Sequence, residues 1–589
     1  MKEVTLSVIL TLKGPVIAGS SAAGAFGIDL PFAKTGSGEL YLPGTHVKGR
    51  LRESIEAIQS ALELSEDEIE EWLGQGSSEY NRPKRGRLIF EDFVTLTKDG
   101  KGIRTRIRMD PERGAVRKGA YLVIESPFKS GEMVEFKGRI RFFCENDGEF
   151  SKIKTIIHKG LRWIPALGGQ RSAGFGCLTH VKLEKESETL IPEIVTPRTS
   201  CEALNLKLFP KSPFCIAIPR KAENLFESDS VISGGAIKGS IANTLNRILG
   251  KPLNEEIDDS LPPPWTELGR YFSDIRFDHG FPSSEEGGRP THYPLSTVRT
   301  QKDEESDKAE THDVIFWSGP RLIHGKAPVF STDWKGKDFE AVESEFRWGK
   351  RPNTILRVRT AMDKDKRRSD EGKLFAYEMI NPEGFVWHTR ANLTKVPEKE
   401  RVNVRSQLET LLTEFGIRYL GKTKADVEVI VSPAEKQTVP DPAKENLWVI
   451  TLQTPALMTE PKTSLNEALV NSEILFKEYN AFWKEISDNT LTLIRFFAEQ
   501  KLMGGYLHYR FQSGRPYNPF LLTSEKSVFL LKSDEGKPWK ETKKLFKDWL
   551  SLGLPLPKWA LKKYGGEDGI SWKNCPFVRE NGFGEITLG

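Results

Sequence analysis

Val4, Leu6, Val8, Leu10 and Leu12 alternate with mostly polar neighbours, the period of a strand with one buried face. A Gly/Ala/Ser-rich stretch, 14–38, follows, and then the pattern changes. From Tyr41-Leu42 the chain passes through Pro43-Gly44-Thr45 into an amphipathic run that predicts a helix over about Val47–Glu63. An acidic helix over Ser65–Leu73, a strand over Arg87–Phe93, a strand over Val134–Phe143 and a helix near Lys152–Lys159 come next. A glycine-rich loop, Leu167-Gly168-Gly169-Gln170-Arg171-Ser172-Ala173-Gly174-Phe175-Gly176, leads into a closing strand. Thr45 is the expected side-chain cap of the first helix. The remaining first-turn amides, with Lys48, Arg50 and Arg52, would then form an anion site, although the Walker spacing is absent. The competing reading is an ordinary capped helix with a basic exposed face.

The same design recurs. Ile232-Ser233-Gly234-Gly235-Ala236-Ile237-Lys238-Gly239 repeats the small-Gly-x-x-Lys-Gly pattern 190 residues after Lys48. Further on, Asp110, Gly119, Glu125 and Leu167-Gly168 reappear as Asp363, Gly372, Glu378 and Leu420-Gly421, each shifted by 253. The chain therefore contains a duplication, with 63 extra residues in the second unit. The polar, Gly/Pro/Ser-punctuated stretch 278–348 reads as an elaborated loop that holds them. The expected domains are 1–192, 203–435 with this insertion, and 445–589. The last is read as a diverged third unit because Gly582-Phe583-Gly584 restates Gly174-Phe175-Gly176 before a final strand. The order strand, helix, strands, hairpin, strand, helix, glycine loop, strand predicts an α+β class of tandem ferredoxin-like (RRM-like) units with antiparallel sheets.

Charge adds local detail to this frame. The net charge of +4 balances many groups of both signs, so clusters decide. Arg104, Arg106 and Arg108 alternate along one extended segment, with Arg113, Arg117 and Lys118 beyond it, and a row of guanidiniums on one face suits a phosphate backbone. A charge-protected edge strand is the alternative. The second hairpin is also basic (Lys350, Arg351, Arg357, Arg359, Lys364, Lys366, Arg367, Arg368). Five cysteines without a CxxC pair predict neither a disulfide framework nor a structural zinc site and point to the cytoplasm. No apolar run approaches the ~20 residues of a membrane span, so no membrane partner is expected.

Leu42-Pro43-Gly44-x-x-Val47-Lys48-Gly49-x-Leu51-Arg52, then Met109-Asp110-x-x-x-Gly114 with Gly119-Ala120-Tyr121, then Gly168-Gly169-x-x-x-x-Gly174-x-Gly176, resembles the RAMP superfamily. More narrowly it resembles backbone subunits of type III CRISPR effector complexes, and the fusion of several units is similar to the type III-D branch. The resemblance implies a cytoplasmic antiviral-defence ribonucleoprotein. Its partners would be a CRISPR guide RNA (crRNA), a target RNA and other type III subunits, including the large polymerase-like one. It also implies endoribonuclease cleavage dependent on a divalent metal, Mg or Mn, that uses the substrate's 2′-hydroxyl. The family's cleaving carboxylate falls on Asp29, in Gly27-Ile28-Asp29-Leu30-Pro31, where an unassisted reading is a turn-forming aspartate. Asp29 would deprotonate or orient that hydroxyl, or hold a metal-bound water, and the Arg104–Lys118 segment would be the thumb-like hairpin. Expected RNA contacts are Lys48, Arg50, Arg52, Arg104, Arg106, Arg108, Arg113, Gly168, Gly169, Arg171, Gly174, Lys238, Arg357, Arg359 and Lys422. His46 is a candidate auxiliary that reads better as a structural polar residue.

The second unit departs from the pattern. Counting back from Lys238 as Asp29 stands to Lys48 lands on Pro219, with only Glu223, Glu227 and Asp229 nearby, and Leu420–Asp426 lacks the later glycines. That unit is expected to be a guide-binding scaffold. A non-cleaving structural subunit and a guide-processing endoribonuclease are the alternatives, and the latter is disfavoured by nine scattered histidines with no evident pairing.

Overall fold

The computed structural model describes residues 1–19, 27–75, 86–95, 102–191, 194, 200–218, 225–253, 255–300, 310–362, 369–442, 444, 446–461, 472–504, 519–534, 539–565, 569–570, 572 and 574–589. Asp363, Lys364, Lys366, Arg367, Arg368, Pro219 and Glu223 lie outside them.

The alternating first segment forms strand β1 (Lys2–Lys13), and Val4, Leu6, Val8, Leu10 and Leu12 are all fully buried. Helix α1 (Gly44–Ala57) and helix α2 (Glu66–Leu73) follow. Strands β2 (Ile103–Met109) and β3 (Val116–Glu125) then make a separate hairpin. Strand β4 (Met133–Cys144), helix α3 (Asp147–Arg162) and strand β5 (Cys177–Leu190) close the unit. β1 runs antiparallel between β4 and β5, with Leu6 opposite Ile140 and Leu10 opposite Val181. Both long helices turn Val47, Leu51, Ile55, Ile153, Ile157 and Leu161 into the core behind this sheet. Each such side chain removed from water supplies roughly 1.5–3 kcal/mol.

The second unit repeats the order with strand β6 (Ala203–Pro210), helix α4 (Gly234–Ile248), hairpin strands β7 (Thr354–Met362) and β8 (Ser369–Ile380), strand β9 (Phe385–Asn392), helix α5 (Glu398–Glu414) and strand β10 (Ala425–Pro433). β6 lies between β9 and β10. The last stretch does the same with strand β11 (Leu447–Leu452), helix α6 (Ser472–Ile486), strands β12 (Leu491–Phe497) and β13 (Val528–Ser533), helix α7 (Trp539–Leu552) and strand β14 (Ile586–Leu588). β11 is flanked by β13 and β14. Its glycine turn copies the first one: Gly582 and Gly584 take φ of +87° and +69°, against +81° and +65° at Gly174 and Gly176. In both, the later glycine amide reaches a proline carbonyl just past the unit's first strand, Pro15 at 2.8 Å and Pro455 at 2.9 Å.

Two expectations are corrected here. Thr45 does not cap α1: the helix begins one residue earlier, and the Gly44 amide is taken by Asp92 Oδ1 at 2.8 Å, from a segment 48 residues away. The insertion is more than an elaborated loop. Short strands Thr297–Arg299, Thr311–Asp313 and Val329–Phe330 form a sheet, a helix spans Gly336–Glu345, and Tyr293, Trp334 and Val342 make a small core. Ile315 from this insertion packs with Val449, Val528 and Leu530 on the sheet of the last unit.

The units are joined by buried polar contacts. Glu3, Arg141, Arg418 and Asp426 form a charge quartet across the first seam, with Arg141–Glu3 and Arg418–Glu3 at 3.1 Å and Arg141 also paired with Asp426. At the second seam Arg276, 2% exposed, pairs with Asp278 at 2.7 Å. It also donates to the carbonyls of Leu552, Arg579, Gly582 and Phe583 at 2.5–3.3 Å.

Candidate RNA-binding and cleavage site

Asp29 stands exposed beside the first hairpin, and backbone pairing explains its position. Its amide donates to the Val123 carbonyl at 3.0 Å, and its Oδ2 accepts the Val123 amide at 2.7 Å. Leu30 pairs in parallel with Ile124, and Glu125 holds the Phe32 amide at 2.8 Å and the Lys34 ammonium at 2.6 Å. The candidate cleavage loop is thereby tied to β3 by an isolated parallel bridge and fixed at one carboxylate oxygen.

The opposite strand carries the arginines. Arg104 donates to Ser126 Oγ at 3.1 Å and Ser130 Oγ at 2.9 Å, and its guanidinium lies 6.0 Å from the Phe175 ring. Arg106 is exposed and bonds the Gln170 side chain. The hairpin thus links the Asp29 loop to the glycine turn. Arg113 is exposed in the hairpin turn, where its amide bonds Asp110 Oδ1 at 3.2 Å. Arg108 and Arg359 lie on strands, but their side chains are outside the described residues. Sequence reading missed the apolar part of this hairpin: Ile107 and Tyr121 face each other across the strands, 52% and 59% exposed. The alternation of Ile103, Thr105, Ile107 and Met109 with the arginines was the available signal.

The glycine turn is built tightly on the loop after β1. Gly168 has φ +91°, and a side chain there would put Cβ 2.2 Å from the Ile17 carbonyl. The Gly169 amide donates to that carbonyl at 2.7 Å. The Gly168 amide donates to His46 Nε2 at 2.9 Å, so His46 is a neutral acceptor with its proton on Nδ1. Burial, with Arg171 and Arg50 nearby, pushes its pKa down to about 4. His46 is a structural polar group. Arg171 opens an exposed turn that ends at Gly174.

The lysines of the two Lys-Gly helices do not form the anticipated anion site. Lys48 points inward and donates to the Leu88 carbonyl at 3.0 Å beneath Phe90. Burial, with Lys424, Arg52 and Arg247 near it, pulls its pKa down to about 7. Lys238 does the same towards Ser273 and Ile275 carbonyls at 2.8 and 2.9 Å, beneath Phe272, and burial pulls it down to about 8. Arg50 pairs with Glu53, and Arg52 with Glu56 and the Gly74 carbonyl. Arg357 grips the first unit, donating to Tyr41 Oη at 2.7 Å and Asp92 Oδ2 at 3.2 Å. Lys422 lies 4.5 Å over the Phe226 ring.

The second unit's counterpart of Asp29 is corrected by register. Leu30 pairs with Ile124, and Phe226 pairs with Tyr377, the residue 253 further on. Leu225, opposite Ala376, therefore takes the place of Asp29, and Pro219 does not. Asp229 instead turns its carboxylate to the Val231 amide at 2.9 Å.

Tandem antiparallel ferredoxin-like units, the first two each with a projecting hairpin, define the fold. Residues 9–179 match the family model described as RAMPs, RAMP superfamily. No curated protein matches. Among solved structures, a chain of the Type III-B Cmr-beta complex bound to cognate target RNA is 19% identical at a TM-score of 0.24. That likeness covers 32% of this chain and 62% of the other, so this chain spans less than two thirds of its length. A chain of the same complex with cognate target RNA and AMPPnP, state 1, is 12% identical at a TM-score of 0.29, with coverages of 55% and 86%. Among the described residues no helix is long and apolar enough to cross a membrane.

Proposed function

We propose that this chain is a subunit of a type III CRISPR ribonucleoprotein that binds guide RNA and cleaves complementary target RNA at its first unit. The observation that carries the reading is Asp29: an exposed carboxylate, clamped through one oxygen to the arginine-bearing hairpin of a RAMP unit. With Oδ2 occupied by the Val123 amide, Oδ1 is the oxygen available to orient or accept the proton of a 2′-hydroxyl. Arg104 and Arg106 would offset charge at the phosphate under attack. Leu225 has no such chemistry, so the second unit acts as scaffold.

Divalent metal is part of the expectation from the family, and the fit is incomplete. Among the described residues no group of three or more His, Cys, Asp or Glu is placed to hold a metal ion, so those residues do not compose a Mg or Mn site by themselves.

A second reading, a non-cleaving structural subunit, is favoured by the same Val123–Asp29 bond, which suffices to explain an aspartate at this position. The test is a cleavage map of a guide-matched RNA in complexes carrying wild-type chain or Asp29→Ala. Loss of one set of cuts with target binding retained is the expected result, and an unchanged map overturns the assignment.

A further inference from the structure

Between Phe150 and Leu183 the chain carries no aspartate or glutamate, while Lys152, Lys154, Lys159, Arg162, Arg171 and Lys182 fall within those 34 residues. The run covers most of α3, the glycine turn and the start of β5. Its exposed part gathers at one place. Lys159 and Arg162 stand in the last turn of α3, Trp163 follows as its C-cap, and all three face solvent, the tryptophan 61% exposed. Among the described residues neither cation meets a carboxylate, whereas Lys152 of the same helix is held by Glu68 at 2.8 Å. Cations at a helix C-terminus answer the macrodipole, which accounts for Lys159 and Arg162. It does not account for an indole left in water.

The patch is not part of the repeated design. Buried positions align the closing helices of the first two units: Ile153, Ile157, Leu161 and Ile164 match Val404, Leu408, Leu412 and Phe415, a shift of 251. In that register His158, Lys159, Arg162 and Trp163 fall on Glu409, Thr410, Thr413 and Glu414. The second unit thus has two carboxylates and no cation where the first has its cations and its indole. The patch is also tied to the glycine turn. The Leu167 amide donates to the Gly176 carbonyl at 2.9 Å, and the Leu178 amide donates to the Pro165 carbonyl at 3.0 Å. Exposed Arg171 lies in the turn that this ladder closes, and β5, which follows it, is an edge strand among the described residues.

We infer that Trp163, Lys159 and Arg162 form a stacking platform for unpaired RNA outside the guide–target duplex: the indole takes one base, and the two cations take the phosphates beside it. The inference rests on the proposal that the chain works on guide-bound RNA. Bases of any sequence stack on aromatic faces, and clustered cations follow the backbone between them. A protein partner fits less well. Trp163 is the one large apolar side chain exposed within the run, too little for an apolar interface, and its surroundings are acid-free. Unpaired guide and unpaired target offer the platform the same chemistry.

The test places an aromatic photo-crosslinking amino acid at position 163 of the full chain. The chain is assembled in cells with guide RNA and the other effector subunits, then given a target extended beyond the guide at both ends. The expected product is an adduct with an unpaired nucleotide, and sequencing it tells guide from target. Trp163→Ala should weaken binding of that RNA about tenfold, within what one stacked base contributes, and Trp163→Phe should restore most of it. Joint replacement Lys159→Ala and Arg162→Ala should lower the slope of log affinity against log salt by about 1.4, the share of two single-strand phosphates. Adducts with paired nucleotides or with protein alone, or unchanged affinities, overturn the inference. A complex that holds guide and cuts target without an RNA adduct at 163 overturns this site and leaves the functional proposal standing. A preparation without guide RNA, in which residue 163 still crosslinks added single-stranded RNA, does the reverse.

Discussion

Asp92 holds two units at once: Oδ1 accepts the Gly44 amide at 2.8 Å, and Oδ2 accepts the Arg357 guanidinium of the second unit at 3.2 Å. The helix that carries the Lys-Gly motif is therefore capped by a residue that also anchors the neighbouring hairpin. Asp92→Ala should cost about 1–2 kcal/mol, the worth of a lost cap plus a weakened, partly exposed ion pair. Urea unfolding would read it, and a cycle with Arg357→Ala should show coupling between the two losses.

The quartet at the same seam is better shielded. Arg141, 10% exposed at its side chain, neutralises Glu3 and Asp426. Arg141→Ala leaves two carboxylates short of a partner in a buried setting, with an expected loss of about 3–5 kcal/mol. Charge-conserving Arg141→Lys should recover part of it, as read from denaturant midpoints.

Acid lability follows from the histidines. Burial lowers His46 and His388 to about 4, and His279 and His292 to about 3, from 6.5. Between 6.5 and about 4 the unfolded chain binds these protons while the folded one does not, so stability falls as pH drops through that window and is restored above it. Melting curves across it should show the slope, and His46→Gln, which keeps an acceptor for the Gly168 amide, should shallow it.

Buried and exposed cations should separate in RNA-binding experiments. Lys48 is turned inward, so Lys48→Met should leave the salt dependence of RNA affinity unchanged, whereas Arg106→Ala should reduce its slope by about one. Lys48 has a second signature. Its pKa of about 7, below the ordinary 10.5, means that stability rises between those values as pH increases, and Lys48→Met removes that rise.

The repeated design was legible because strand alternation and helix periodicity are local, and because the insertion left the offset of 253 intact on its far side. The contacts that join distant segments were not. Thr45 looked like the cap because capping rules see only neighbouring residues, while Asp92 reaches Gly44 through the fold. Arg104 and Arg357 are equivalent in sequence, yet among the described residues only the second meets a carboxylate from another unit. Counting back from Lys238 gave Pro219 because loop length differs between the copies. Strand register, with Phe226 beside Tyr377, locates Leu225 instead. The core of the insertion was hidden by its polar average, since Tyr293, Trp334 and Val342 are spread over some fifty positions.

Arg276 spends its guanidinium on backbone carbonyls and on one buried aspartate, out of reach of dissolved ions. Contacts to a polyanion, by contrast, weaken steeply as counterions are added. Concentrated sodium chloride should therefore strip nucleic acid from this molecule well before it loosens the last two units from each other, which makes a high-salt wash the way to recover an intact bare scaffold.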